Sequence, residues 1–357
     1  MRLKGFSLPQ QQDGEYTLVV KYLVTNDPYL QPGHVLAEQE FVVNQYQFPT
    51  VQCLTKSAEG KPAVGKDEQL ACITLKTDRM AVTFNRNNGW IDFIDVDGRP
   101  MLEEGYSLQP DFWRAMTDND AGADLGRRLE LWKNPKLNLK QISEEADGKN
   151  RIVKASYEMP ELQADLTLTY TLTPDSRLVV TQSLKTHAAD AKKMPHLFRF
   201  GMQLVMPGKY SEVDYYGRGP LESYVDRHTS QFLGHYTQAV KDQYWHGYVR
   251  PQESGNHYDV RAWSVQTPGG FGLTFRGTEP LECSTIPYLY ADIDGSPVKE
   301  AYQRHNGDLK ARNLSVVHIA HKQMGLGCEN SWGAWPMKQY LLPYGDYEYT
   351  FAIEIAE

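Results

Sequence analysis

Long apolar runs are missing from this chain. No stretch approaches the roughly 18 apolar residues that cross a bilayer as a helix, and the opening MRLKGFSLPQQQDGEY lacks the apolar segment of an export signal. Positive charge is in deficit: 37 Lys and Arg stand against 45 Asp and Glu, a net charge of −8 over 357 residues. That excludes a basic footprint for nucleic acid, so neither nucleic acid nor membrane is an expected partner. Cysteine is scarce. Cys53, Cys72, Cys283 and Cys328 are too few for a disulfide framework, and no C-x-x-C pair suggests zinc. Cysteine usage leaves the compartment open. Helical periodicity is also scarce: outside 126–132 no 3.6-residue period lasts beyond two turns. A TIM barrel needs about 250 residues of alternating strands and helices, and no such pattern lies within this chain.

What is abundant is aromatic and β-branched. The chain holds 22 Tyr, 12 Phe and 7 Trp, residues that suit pleated, half-buried surfaces. Leu166, Leu168, Tyr170 and Leu172 alternate with Thr167, Thr169 and Thr171, a period of two over seven residues. Asn87-Asn88-Gly89 and Asp97-Gly98 read as hairpin turns around 90–96. Further strands are expected at 197–206, 258–266, 271–276, 314–320 and 347–355. The polar, Gly- and Pro-containing stretch inside 51–69 reads as a linker. Before it, 1–50 holds about three strands, too few to cover a core alone. These are expected to be the last strands of an immunoglobulin-like sandwich that begins upstream. After it, 70–357 is expected to form one large antiparallel two-sheet sandwich.

Three clusters could carry chemistry. Asp111 to Gly122 (DFWRAMTDNDAG) packs Arg114, Asp118, Asn119 and Asp120 into one polar stretch. It reads either as a loop for a polar ligand or as a self-capped turn. Tyr215 to Arg227 contains a G-x-G, but Pro220 follows and no helix opens, so a phosphate cradle is a poor reading. Arg218, Glu222, Asp226 and Arg227 there suit an ion-pair network at a sheet edge. Met324 to Trp335 places Trp332 among glycines, where an indole makes either a sugar-stacking platform or a seam residue. His318 and His321 are three apart on an expected strand and face opposite sides, a poor metal pair.

In this order the clusters resemble the C-terminal region of family 2 glycoside hydrolases of the large bacterial β-galactosidase type. The matching elements are Trp113-Arg114 with Asp118-Asn119-Asp120-Ala121-Gly122, then Tyr216 through Arg227. Pro251-Gln252-Glu253-Ser254-Gly255-Asn256 follows, and then Gly325-Leu326-Gly327 with Ser331-Trp332. The resemblance covers about 70–357. It implies a β-supersandwich similar to the galactose-mutarotase fold, preceded by part of the immunoglobulin-like domain. It also implies a role. The two catalytic glutamates of such enzymes sit on a central barrel, so no catalytic residue is assigned within this chain. Trp332 matches the tryptophan that stacks on substrate, and Gly122 the glycine of a mobile loop whose base Asp118, Asn119, Asp120 and Arg114 would anchor. The implied partners are a β-galactoside, the upstream barrel of the same parent and further copies of that parent. Magnesium and sodium, often used by the family, would be bound by other domains. The implied compartment is the bacterial cytoplasm or periplasm. Two other readings stay open: a freestanding carbohydrate-binding module, and a mutarotase-like epimerase suggested by fold analogy alone.

Overall fold

The computed structural model describes residues 14–56, 60, 62–67, 69–294, 305–327, 330 and 333–357. The chain divides into two units, Met1–Phe48 and Pro49–Glu357.

In the first unit, Tyr16–Leu23 and Val35–Asn44 form an antiparallel hairpin with two register shifts. Lys21 pairs with Glu38 at 3.0 Å across it. About three strands were expected here; the described residues hold two. Tyr22, Leu36 and Phe41 are exposed on this hairpin, so it buries little apolar surface of its own.

The second unit is all-β. Its largest sheet has nine antiparallel strands. One half is the meander Asn138–Asp147, Asn150–Met159, Ala164–Leu172 and Leu178–Thr186. The other half holds Glu212–Gly219, Phe232–Ala239, Ala262–Gln266 and Gly272–Gly277. Tyr347–Ala356 lies between the halves and pairs with Leu178–Thr186 on one side and Gly272–Gly277 on the other. The Leu/Thr alternation at 164–172 appears as expected, with the leucines and Tyr170 fully buried.

A five-stranded sheet covers part of this one. It contains Gln109–Asp111, Arg199–Pro207, Leu314–Gln323, Leu281–Ile286 and His257–Val260. The two sheets interlock through aromatic side chains. Tyr349 Oη donates to the Ile319 carbonyl at 2.8 Å, and Trp263 Nε1 donates to Thr285 Oγ1 at 2.9 Å. Both rings are fully buried, and each hydrogen bond satisfies the polar end of a large apolar body.

A second five-stranded sheet, 63–100, packs against the meander through Phe84 and Tyr170, whose rings meet edge-on at 5.1 Å. The turn at Gly89 (φ +75°) closes under Tyr157, whose hydroxyl donates to the Asn88 carbonyl. A Cβ at Gly89 would overlap that hydroxyl.

The linker expected over 51–69 is corrected here. Val51–Leu54 is a helical turn capped by Thr50, and Leu54 packs on Val179 and Ala352. Ala63–Asp67 is an edge strand paired with Cys72–Lys76. Its polar composition is that of an exposed edge strand, bonded on one side only. No helix among the described residues is long and apolar enough to cross a membrane.

Candidate functional site

The segment 113–122 enters from the short strand Gln109–Asp111. Asp111 Oδ1 accepts the Trp113 amide at 3.2 Å. Asp294 receives the indole N–H of Trp113 at 3.0 Å, the Met116 amide at 3.2 Å and the Lys133 ammonium at 2.6 Å. Trp113 is itself buried against Phe198. The entry to the segment is therefore fixed.

Of the two readings of this stretch, a loop or a self-capped turn, Asp118–Gly122 forms the second, one helical turn. Thr117 Oγ1 accepts the Asp120 amide at 3.1 Å, and Asp120 Oδ2 accepts the Thr117 amide at 2.9 Å. This reciprocal cap satisfies two donors that a helix start leaves orphaned. The other carboxylate oxygen, Oδ1, takes Nη2 of Arg114 at 2.9 Å, with both side chains buried. Arg114 also donates to the Gly325 carbonyl at 3.0 Å and to the Met324 carbonyl. Its guanidinium lies 4.8 Å from the Phe198 ring centre. One buried arginine thus ties the start of this helix to the 324–327 loop, a task for which its planar fork of donors is suited.

Asp118, Asn119 and Gly122 face away from that buried pair. Asp118 is about half exposed, lies 3.8 Å from Arg250 Nη1, and donates its amide to Gln252 Oε1 at 3.1 Å. Asn119 Nδ2 reaches the Leu326 carbonyl at 3.5 Å. Gly122 ends the helix, and the left-handed residue that follows is Asp124 (φ +58°). The Gly122 carbonyl sits 3.0 Å from where a Cβ would stand on Gly333, itself at φ +96°. The Asn119 Cβ lies 3.9 Å from the corresponding point on Gly327. Gly327 and Gly333 bracket the segment carrying Trp332. Trp332 itself, with Ser331, lies outside the described residues.

The other two motifs support this arrangement from below. Asp226 Oδ2 accepts the Gly327 amide at 3.1 Å, and a Cβ on Gly325 would stand 2.5 Å from it. Glu222 takes Arg227 Nη2 at 2.5 Å, Ser254 Oγ at 2.9 Å, the Gly255 amide at 2.9 Å and the Tyr248 hydroxyl. The expected ion-pair network at 218–227 is therefore divided. Glu222 holds Arg227, Arg218 pairs with Asp259 at 3.2 Å, and Asp226 serves the glycine loop.

Beneath lies a buried charge cluster that local sequence reading missed. Arg199 contacts Asp111 at 2.9 Å, Glu253 at 3.0 Å, Gln323 Oε1 at 2.8 Å and the Tyr290 hydroxyl at 2.6 Å. His318 Nδ1 lies 2.8 Å from Asp111 Oδ2. Burial works to raise the Asp111 pKa, but Arg199 and His318 outweigh it and hold it near 2. For Glu253 burial wins over Arg199, and its pKa is raised. Glu282 is pushed up to about 7 by burial, against bonds from the Gln323 amide at 3.0 Å and Asn256 Nδ2 at 3.1 Å.

These bonds limit the chemistry. Glycoside cleavage with retention needs two carboxylates about 5 Å apart facing one sugar. Both oxygens of Asp120 and both of Glu222 are taken by protein donors, which suits anchoring rather than attack on a sugar. Among the described residues, no group of three or more His, Cys, Asp or Glu is arranged to hold a metal ion.

The fold is that of a large antiparallel β-sandwich domain, and the comparisons with known proteins name the group. Residues 76–353 match the family model described as the β-galactosidase small chain, so the chain belongs to that family. It is 33% identical over 338 residues to a β-galactosidase of Lactobacillus delbrueckii subsp. bulgaricus, covering 92% of this chain and 31% of that protein. It is 29% identical over 344 residues to a β-galactosidase of Priestia megaterium, covering 96% of this chain and 31% of that protein. The chain thus spans a little under a third of the length of these relatives. Among solved structures, galactose 1-epimerase from Lactobacillus acidophilus aligns with a TM-score of 0.43 at 10% identity, over 96% of this chain and 100% of that one.

Proposed function

We propose that this chain is the substrate-rim part of a retaining β-galactosidase that hydrolyses terminal β-D-galactosides. Its two catalytic glutamates would be supplied by an upstream barrel of the same parent protein. On this reading the chain alone does not hydrolyse, because the pair of catalytic carboxylates lies on that barrel. Trp332 gives the sugar an aromatic face, while Asp118, Asn119 and Gly122 form the polar lip beside it. Arg114 and Asp120 hold that lip without touching substrate. The hairpin at 16–44 belongs to an immunoglobulin-like domain completed by upstream strands, which fits its uncovered Tyr22, Leu36 and Phe41. The parent works as a homo-oligomer.

The observation that carries the reading is the Arg114 tie. It ties the Asp118–Gly122 turn to the 324–327 loop, two motifs some 200 residues apart in sequence, which supports reading them as one rim. The test is hydrolysis of a chromogenic β-galactoside by the 357-residue chain beside the same chain joined to its upstream sequence. Activity only in the longer protein is expected. Activity in the shorter chain would overturn the reading and return Asp118, Asp120 and Glu222 to consideration. Inactivity in both would point to another glycoside.

A further inference from the structure

A cleft of about 540 Å³ opens between the strands Leu281–Ile286 and Leu314–Gln323 and the stretch 339–347. This volume lies within the roughly 300–1,000 Å³ of small-molecule sites. Its polar wall includes Glu279, Glu282, His321 and Lys322, and its aromatic wall includes Tyr258 and Tyr340.

One residue of that wall is placed by a break in the sheet. Phe200 pairs with Lys322 and Gly201 with Ala320, so His321 is the extra residue of a β-bulge. Bulges re-aim side chains at functional positions. The His321 side chain is only 8% exposed, and its ring packs on Tyr349 and Phe200. Its Nδ1 lies 3.2 Å from Glu279 Oε1 and is shut off from the cleft, which leaves Nε2 as the ring atom that can meet a ligand there. Burial, with Lys322 adding to it, lowers the His321 pKa to about 4, so the ring is neutral and offers one donor and one acceptor.

The chemistry of the wall narrows the ligand. Asp259 is neutralised by Arg218 and Arg261, and both oxygens of Glu282 are occupied by Asn256 and the Gln323 amide. What faces the cleft is one carboxylate (Glu279), one ammonium (Lys322), one amide (Gln339) and the imidazole, beside tyrosine rings. Such a wall balances charge and alternates donors with acceptors. It matches neither an anion nor a cation, but it does match a ligand whose every polar group is a hydroxyl.

We propose that this cleft binds a neutral monosaccharide in its pyranose form, with ring hydroxyls bridging Glu279, His321 and Lys322 and a C–H face against a tyrosine ring. This goes beyond the rim reading and uses none of its residues. It also touches the rim, because the Tyr340 carbonyl accepts the Gly325 amide at 2.8 Å.

The test is calorimetric titration of the 357-residue chain with galactose, with glucose and with ethanolamine as a cationic control. The expected result is saturable sugar binding with Kd on the order of 1 mM and no ethanolamine binding. Glu279→Gln and Lys322→Ala, both at accessible positions, are each expected to weaken it about tenfold, the loss of one charge-assisted bond. A circular dichroism melt of each variant separates lost binding from lost fold. No saturation by either sugar up to about 50 mM would overturn the proposal. So would preference for ethanolamine, or binding that the Glu279 and Lys322 variants leave intact.

Discussion

Asp120→Ala probes the tie between the two rim segments. The substitution removes two interactions at once. It removes the acceptor of the Thr117 amide, one half of the reciprocal cap, worth about 1 kcal/mol. It also leaves the Arg114 guanidinium buried without its counter-ion, which for a buried pair costs about 3–5 kcal/mol. Thr117→Ala removes the other half, the bond from the Asp120 amide, leaves the ion pair in place and is expected to cost a similar amount, about 1 kcal/mol. The gap between these two variants therefore isolates the ion pair. Arg114→Met is expected to destabilise by a similar 3–5 kcal/mol, because it strands Asp120 and frees two carbonyls of the 324–327 loop. Combined with Asp120→Ala, it is expected to cost well under the sum of the singles, since neither charge is then left alone. Urea denaturation followed by tryptophan fluorescence gives the four stabilities. Amide exchange at 324–327 gives the local effect, faster in both Arg114→Met and Asp120→Ala. If Asp120→Ala costs no more than Thr117→Ala, or if the singles add, the pair is not the tie described here.

Three further outcomes are expected. In the chain joined to its upstream sequence, Trp332→Ala should raise KM for a chromogenic galactoside by about tenfold or more with a smaller change in kcat; an effect confined to kcat would remove Trp332 from the binding rim. Gly333→Ala should cost about 1–3 kcal/mol, since it forces a side chain onto a φ of +96° and against the Gly122 carbonyl, and thermal melting checks it. Glu282 has its folded pKa raised from 4.5 to about 7, so it binds its proton more tightly folded than unfolded. It contributes stability that is fully present below pH 4.5 and lost as pH rises through 7, on the order of 3 kcal/mol. Urea melts across that range should show Glu282→Gln free of this fall; equal slopes in the two proteins would contradict the assignment.

The parts of the fold legible in the sequence were those written in short-range period. The Leu/Thr alternation at 166–172 and the turn at 87–89 both appear where the residues put them, because each is decided by near neighbours. Ala63–Asp67 was misread because an exposed edge strand has the composition of a loop. The stretch 118–122 read either as a ligand loop or as a self-capped turn, because one helical turn is too short to show a period. Thr117 and Asp120 nonetheless stand three apart as a cap requires, and that signal was available. The cluster around Arg199 had no local signal at all. Asp111, Glu253, Tyr290, His318 and Gln323 come from separate strands and loops, and only the sheet register brings them together. Asp226 was assigned to the ion-pair network beside Arg227, but Glu222 takes that arginine and leaves Asp226 for the glycine loop.

The position of Tyr347–Ala356 sets an order of assembly. The meander 138–186 and the group 212–277 can each pair up from nearby chain, but neither can seal its inner edge. Leu178 waits for Ile353 and Gly277 for Phe351, so the central seam is closed by a segment remote from both in sequence. Until that happens, two open edges of the same sheet stand unpaired in one chain, each a template for a neighbouring molecule. Yield of soluble protein in the cell should therefore depend on chaperone supply and growth temperature more steeply than the finished sandwich's own stability would suggest.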